Sequence, residues 1–227
     1  MADHKHIPVE TIPEVEIVDK VTGFWQQNSK NILIGVAAIV IIAGGVAGYK
    51  YFISGPKTEK ANEAIFRAEN YFRMDSLQLA LNGDATNPGF IKIIDRYSGT
   101  PAANLSKFYA GASYLRLGDY AKAEKYLKDF STGAPQINAR AKSLLADTYS
   151  EQGKKEEAAK LYREAAGLFD KDEFNSSEYL FRAGYLYESL GKNAEAIEAY
   201  KTIKEKYPRT ERGFEVDKYL ARLGETE

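Results

Sequence analysis

Cysteine is absent from the 227-residue chain. Its absence excludes a disulfide framework, a zinc site with thiolate ligands and a thiol nucleophile. Histidine is scarce as well, since His4 and His6 are the whole complement and leave no Ser-His-Asp triad for a folded domain. The two histidines have the spacing of metal ligands, but no carboxylate cage accompanies them and we expect them to be solvated. We therefore predict no metal, no cofactor and no catalytic residue.

The chain also lacks an excess of either charge, with 31 basic against 32 acidic residues. A nucleic-acid-binding domain usually carries a basic patch or stripe, so no nucleic-acid partner is predicted. A glycine-rich phosphate-binding loop is missing too. The acidic stretch at residues 170–173 is typical of a solvated loop between helices. The sequence therefore predicts a protein that is not an enzyme.

One long hydrophobic run, from Ile32 to Phe52, contains Lys50 as its single charged residue. About 20 helical residues, each rising about 1.5 Å, span a hydrocarbon core of about 30 Å. Lys50 lies near the end of the run, where its long side chain can reach the lipid headgroups. Aromatic residues flank both ends, as they do at membrane interfaces: Phe24, Trp25, Tyr49, Tyr51 and Phe52. We predict a transmembrane helix over residues 32–53.

Two other interpretations of this run are weaker. A cleaved signal peptide has a shorter apolar region and a basic leader, whereas about 30 residues precede this run and several of them are acidic. The small residues Ala43, Gly44 and Gly45 would suit a cleavage site and keep that alternative open. A buried helix of a soluble protein is disfavoured because the run is apolar on every face. Ahead of the run we expect a disordered N-terminal arm over 1–18 and a juxtamembrane helix over 19–31.

Small residues cluster within the run, where Gly44 and Gly48 form a GxxxG pair beside Ala43 and Ala47. Such a face lets another membrane helix approach closely, although glycine is also common in membrane helices that pack against nothing. The flanking lysines do not settle orientation. Two precede the run, one lies near its end and two follow it, which is mildly adverse to a cytoplasmic N-terminus: Lys20, Lys30, Lys50, Lys57 and Lys60.

Three later stretches, 107–135, 141–169 and 179–208, repeat one pattern. Each has a tyrosine four residues before a glycine, an alanine five residues after that glycine and a large residue four positions later. This pattern is similar to the tetratricopeptide repeat, a helix-turn-helix unit of about 34 residues. The glycine suits a helix end that needs φ > 0, and the alanine lets two helices approach. The matching residues are Tyr114, Gly118, Ala123 and Leu127; Tyr149, Gly153, Ala158 and Tyr162; Tyr187, Gly191, Ala196 and Tyr200.

The predicted fold is thus all-α, a single N-terminal transmembrane helix followed by a tetratricopeptide-repeat-like α-solenoid. A long helix over 58–81 opens a degenerate first repeat within 54–101, after a helix-breaking linker at 54–56. Three repeats occupy 102–209, and 210–227 forms a capping helix and tail. Four apolar residues of that helix are expected to cover the last repeat: Phe214, Tyr219, Leu220 and Leu223.

Solenoids of this kind present a concave surface lined by the first helix of each repeat. Here those helices carry aromatic and arginine residues beyond the repeat pattern, the types that anchor protein partners. The other interpretation is that they fill the seams between repeats. The candidates for the partner groove are Phe108, Tyr109, Arg116, Arg140, Phe181, Arg182 and Tyr185.

One combination of features surrounds the apolar run. An aromatic-x-x-Asn-x-Lys run precedes a glycine-rich membrane helix, and an aromatic-basic exit and divergent repeats follow. The residues of this combination are Phe24, Trp25, Asn28, Lys30, Gly35, Gly44, Gly45, Gly48, Tyr49, Lys50, Tyr51 and Phe52. The combination resembles the YfgM family of bacterial inner-membrane proteins.

The resemblance implies a cytoplasmic N-terminus and periplasmic repeats. It also implies association with the SecYEG translocon and with a PpiD-like periplasmic chaperone. We accordingly expect a non-enzymatic accessory subunit of the translocation machinery, embedded in membrane lipid, whose repeats bind that chaperone or an emerging polypeptide. The alternative is a membrane-anchored scaffold for cell-envelope assembly, division or another secretion complex, because the fold alone does not separate these roles.

Overall fold

The structure, a computed structural model, describes the backbone of residues 13–225 and the side chains of 18–225 except that of residue 19. Two compact units divide the chain, Met1–Pro56 and Lys57–Glu227. Every regular element in the described part is a helix, and strand-like pairing there is limited to an isolated bridge between Gly83 and Pro88. The predicted all-α class is confirmed.

The first unit is built on helix α1 (Pro13–Tyr49), which continues into a π-helical turn at Lys50–Ser54. The predicted juxtamembrane helix and transmembrane segment both fall on this stretch. Among the described residues, one helix is long and apolar enough to cross a membrane, and the apolar window in it is not buried by protein. Lipid is the medium that such an exposed apolar surface fits.

Two details of this stretch differ from expectation. The predicted arm over 1–18 lies outside the described residues up to residue 12, and the chain is helical from Pro13 onwards. The predicted break at 54–56 is absent, since the Gly55 N–H bonds to the Lys50 oxygen and α2 (Gly55–Arg73) begins there. The wider π turn accommodates Pro56, which has no N–H to donate.

The second unit opens with α2, α3 (Leu77–Asn82) and α4 (Phe90–Arg96). The single helix predicted over 58–81 is wrong, because α2 ends at Arg73 and Asp75 adopts a φ of 58°. This turn redirects the chain so that α3 buries its apolar residues beside those of α2 and α4. The shared core of this degenerate unit contains Ala61, Ile65, Ala68, Ala80, Leu81, Phe90 and Ile93.

Three helical hairpins and a final helix follow. The hairpins are α5 (Pro101–Arg116) with α6 (Tyr120–Lys128), α7 (Pro135–Glu151) with α8 (Lys155–Leu168), and α9 (Glu173–Ser189) with α10 (Asn193–Lys206); the last helix is α11 (Glu211–Arg222). Gly118, Gly153 and Gly191 end the first helices with φ of 78°, 78° and 71°, as predicted. The alanines of the pattern are fully buried where the two helices of each hairpin meet: Ala123, Ala158 and Ala196.

A further small residue of the repeat escaped the sequence analysis. Gly184, seven residues before the turn glycine, faces Tyr200, and a Cβ built on it would lie 2.5 Å from the Tyr200 Cε1. Gly111 stands in the same relation to Leu127, at 2.6 Å from its Cγ. The seven-residue offset was visible in the sequence, since Ala146 occupies the equivalent position of the middle repeat. These small residues set the closest approach of the paired helices.

Helix α11 buries Val216 and Leu220 against the last hairpin, with Tyr219 and Leu223 packed beside them. The predicted burial of Phe214 is wrong, because its side chain is 76% exposed. Two residues turn a helix by about 200°, so Phe214 lies on the face opposite Val216.

A carboxylate fastens the first full hairpin to the second. Glu124 of α6 accepts hydrogen bonds from Tyr149 (3.2 Å) and Gln152 (3.0 Å) of α7, and it pairs with Lys128 (2.6 Å) and Lys154 (3.4 Å). These contacts, led by the Lys128 hydrogen bond, lower the pKa of Glu124 to about 2. The charged form is therefore favoured in the folded protein.

Replacing Glu124 with glutamine should cost about 1–2 kcal/mol of unfolding free energy at pH 7. Because the folded pKa is the lower one, this contribution is present above the unfolded pKa of about 4.5 and is lost as the pH falls towards 2. The measurement is urea unfolding of both proteins across that range. Glu157→Gln, an exposed glutamate of α8, is the matched control. A constant difference between Glu124→Gln and the native chain from pH 7 to pH 2 would contradict the assignment.

Candidate functional site

A cavity of about 420 Å³ opens between the first helices of the three hairpins. We call it the groove cavity. It is lined by the early turns of α5, α7 and α9 and by the loop that leads into α9. Its lining comprises Leu105, Phe108, Tyr109, Gln136, Ile137, Ala139, Arg140, Phe169, Asp172, Asn175, Ser176 and Tyr179.

The walls of the groove cavity are largely apolar. The half-buried Phe108 ring packs on Phe130 and Tyr109, with centroids 5.6 and 5.4 Å away, while it still lines the cavity. Ile137 is 39% exposed, whereas Tyr179 is almost fully buried. The ring contacts of Phe108 and the burial of Tyr179 therefore tie these parts of the cavity wall to the core of the domain.

The polar groups of the cavity are of two kinds. Asp172 is engaged, because its carboxylate accepts from the Asn175 backbone N–H (3.2 Å) and amide (2.7 Å) and so caps α9. The exposed guanidinium of Arg140 has no ion-pair or hydrogen-bond partner among the described residues. Arg140 is thus a cation available for an outside acceptor.

Beyond the cavity, a ladder of ion pairs joins α7, α9 and α11. Asp147 pairs with Arg182 (3.0 Å), Arg182 with Glu178 (2.7 Å), Glu178 with Arg212 (2.7 Å) and Arg212 with Glu215 (3.2 Å). The Arg182 side chain is 45% exposed, which limits the net worth of its pairs. The ladder links the three helices at their surface, and the buried apolar residues of the same helices share one core.

Most of the predicted groove residues make contacts within the fold. Tyr109 stacks on Phe90 at 5.2 Å, and Arg116 pairs with Asp75 at 2.6 Å. The Phe181 ring lies 4.0 Å under the Arg212 guanidinium and 4.9 Å from Tyr219, and Arg182 belongs to the ladder. Phe108 and Arg140 line the cavity, and Tyr185 is 57% exposed outside it. The structure thus brings Phe108, Tyr109 and Arg140 together and leaves the others apart.

Arg140 of α7 was predicted for the groove and lines the cavity, whereas Ile137 of the same helix was not predicted. Ile137 lies three residues before Arg140 and therefore on the same helical face. An apolar residue three positions before a cation could be recognised in the sequence, provided that the helix start was placed at Pro135. Tyr179 and Asn175 carry no comparable signal, because only the packing of α9 against α7 places them there.

The small residues predicted for membrane-helix packing all lie on α1. A Cβ built on Gly44 or on Gly48 meets no atom within 4 Å, and Ala43 and Ala47 are exposed. Within the first unit the described residues leave this face uncovered.

The surroundings of two buried tyrosines raise the pKa of each hydroxyl. Burial, with the Asp147 carboxylate beside it, raises the pKa of Tyr162, and burial beside Glu188 does the same for Tyr200. Both hydroxyls therefore stay protonated and serve as hydrogen-bond donors. Among the described residues, no three histidines, cysteines or carboxylates are grouped to hold a metal ion.

The family model of the tetratricopeptide repeat-like domain matches residues 22–218. The matched range takes in the apolar run as well as the hairpins. No curated protein matches the chain.

Proposed function

Because the chain belongs to the tetratricopeptide repeat-like domain family, we propose that it is a membrane-anchored, non-enzymatic scaffold whose groove cavity binds another polypeptide. The observation that carries the proposal is the groove cavity itself. It combines supported apolar walls at Phe108 and Ile137 with an arginine that has no partner in the described part of the chain. Aromatic and arginine side chains in a preformed pocket are the usual anchors of protein partners.

The size of the cavity sets the scale of the contact. About 420 Å³ accommodates one or two side chains of a bound segment and not a folded domain. The ligand is accordingly an apolar side chain next to a group that accepts hydrogen bonds from Arg140. Contacts along the rest of the first helices then add area around this anchor.

More specifically, the protein is an accessory subunit of the SecYEG translocon. The resemblance of residues 24–52 to the YfgM family supports this assignment, as does the combination of an apolar helix with a polypeptide-binding domain. The N-terminus then lies in the cytoplasm and the repeats in the periplasm of a bacterial inner membrane. The groove holds a PpiD-like chaperone or an emerging chain, and the uncovered Gly44–Gly48 face of α1 packs beside the channel.

Purification of the full chain in mild detergent at native expression tests this assignment. Translocon subunits and a PpiD-like chaperone should co-purify, and replacing Gly44 and Gly48 by leucine should reduce recovery of the translocon several-fold by filling the close-approach face. Gly35→Leu, at another uncovered glycine of α1, is the matched control. Recovery of envelope-assembly or division proteins in place of the translocon would favour the alternative scaffold role.

The orientation is a separate test. Protease added to spheroplasts should digest the repeats, and full protection would place them in the cytoplasm.

A further inference from the structure

Exposed phenylalanines stand near the starts of α9 and α11, where neither the fold nor the groove explains them. Phe174, at the start of α9, is 65% exposed, and Phe214, early in α11, is 76% exposed. Leu168, at the end of α8, is 38% exposed beside the same loop as Phe174. Neither phenylalanine lines the groove cavity. Large apolar side chains grouped on a surface mark a site that meets something other than water, so the position of these residues in the solenoid matters.

These residues belong to one edge of the solenoid, because its first helices run parallel. Lys57, in the first turn of α2, donates to the Ser98 oxygen just before α5 (2.7 Å), and Arg116 at the end of α5 pairs with Asp75 just after α2 (2.6 Å). The starts of α2 and α5 are therefore adjacent, and so are their ends.

The same relation recurs along the domain. Glu178 and Arg212 join the early turns of α9 and α11 at 2.7 Å, while Glu188 and Arg222 join their last turns at 2.7 Å. Between α5 and α7, one hydrogen bond lies near the starts and another near the ends: Asn104 to Ser131 and Tyr120 to Glu151. The starts of α2, α5, α7, α9 and α11 thus line one side, which we call the helix-start edge.

The chain itself ties the helix-start edge to the membrane. The apolar run ends at Phe52, and Lys57 is five residues further on. Five residues reach at most about 18 Å even when fully extended. The helix-start edge therefore begins within about 18 Å of the lipid.

We propose that the helix-start edge rests on the bilayer surface, with Phe174 and Phe214 inserted into its interfacial layer. Aromatic side chains are favoured at the level of the headgroups, and apolar groups at such depth add membrane affinity in proportion to the area they bury. The proposal uses the transmembrane span but not the ligand of the groove.

The charges around the two rings define which lipid is needed. Lys171 and Arg209, in the loops before the rings, have no partner in the described part of the chain. Carboxylates at Asp170, Glu173 and Glu211 lie in the same loops or first turns and offset them. The contact therefore depends on the rings and should form on zwitterionic phospholipid as well as on anionic phospholipid.

The absence of cysteine makes a site-specific test direct. The full chain is placed in nanodiscs of phosphatidylcholine, with an environment-sensitive fluorophore on Phe174→Cys or Phe214→Cys. Leu190→Cys, 40% exposed at the end of α9 on the opposite edge, is the control. Emission at 174 and 214 should shift to the blue and be quenched several-fold by spin-labelled lipid, and emission at 190 should not.

A second set of variants keeps the rings and moves the probe. A fluorophore on Lys171→Cys should report lipid when Phe174 and Phe214 are present and lose that signal when both are serine, with the helical circular dichroism unchanged.

Equal exposure to water at 174, 214 and 190, in protein that still elutes with the nanodisc, overturns the membrane contact and leaves the groove proposal untouched. Shielding that requires anionic lipid overturns the role of the rings. Shielding that appears only after translocon is added replaces lipid by a protein surface.

Discussion

Replacing Gly184 with valine is expected to lower the unfolding free energy of the repeat domain by about 3 kcal/mol. A Cβ at this position would lie 2.5 Å from Cε1 and 2.9 Å from Cζ of Tyr200. The Tyr200 ring cannot retreat, because it is fully buried and packs against Phe181 and Tyr219. The added methyl groups must therefore push α9 away from α10 and open the centre of the last hairpin. Urea unfolding of the full chain in detergent, followed by far-ultraviolet circular dichroism, measures the loss.

The matched control is the same substitution at Gly167. This glycine is also helical, near the end of α8, but it is exposed and a Cβ there meets no atom within 4 Å. Gly167→Val should change the unfolding free energy by no more than about 0.5 kcal/mol, as surface substitutions usually do. Equal losses at the two positions would show that general helix propensity, and not contact with Tyr200, governs the effect.

The contrast between these glycines shows what the sequence could and could not predict. Gly118, Gly153 and Gly191 were predictable, because each repeats at a fixed distance from a tyrosine and an alanine and so reveals a turn. Gly184 follows the same period, yet its role depends on which large residue it faces across the hairpin. The small residue recurs seven positions before each turn glycine, but only the packing of the two helices shows that Gly184 faces Tyr200.

Other features lay beyond a single-sequence pattern. The break between α2 and α3 at Asp75 has no glycine or proline to mark it, so the long amphipathic run predicted one helix. Phe214 was assigned to the core because it is apolar, but the phase of α11 is set by Val216 and Leu220. Arg116 and Arg182 were recognisable as cations, whereas their partners Asp75 and Asp147 became evident only from the packing of neighbouring helices.

Replacing Ile137 by serine and Arg140 by glutamate together is expected to reduce capture of the bound polypeptide by at least tenfold. The first change removes an apolar wall of the groove cavity, and the second reverses its available charge. Anchor residues in such pockets each contribute about 2 kcal/mol or more to binding, and about 1.4 kcal/mol is a factor of ten. The amount of partner recovered with the tagged full chain at native expression measures the effect.

A control of similar exposure and chemistry lies away from the groove. Leu117 is 41% exposed against 39% for Ile137, and Lys155 is an exposed cation at the start of α8. Leu117→Ser with Lys155→Glu should leave recovery of the partner unchanged. The two double variants should also have equal circular dichroism, so that a loss confined to the groove variant reports on binding and not on folding.

The central claim, that the groove between the first helices holds another polypeptide, is tested most directly by crosslinking in living cells. A photoreactive amino acid at Gln136, an exposed residue of the cavity lining, should form crosslinks to a discrete protein or to emerging chains, whereas the same amino acid at Lys155 should form few or none. Mass spectrometry then identifies the partner, with translocon-associated chaperones and translocating polypeptides as the expected products. Equal crosslinking from both positions, or none from position 136 while the protein is folded and membrane-bound, would contradict the account.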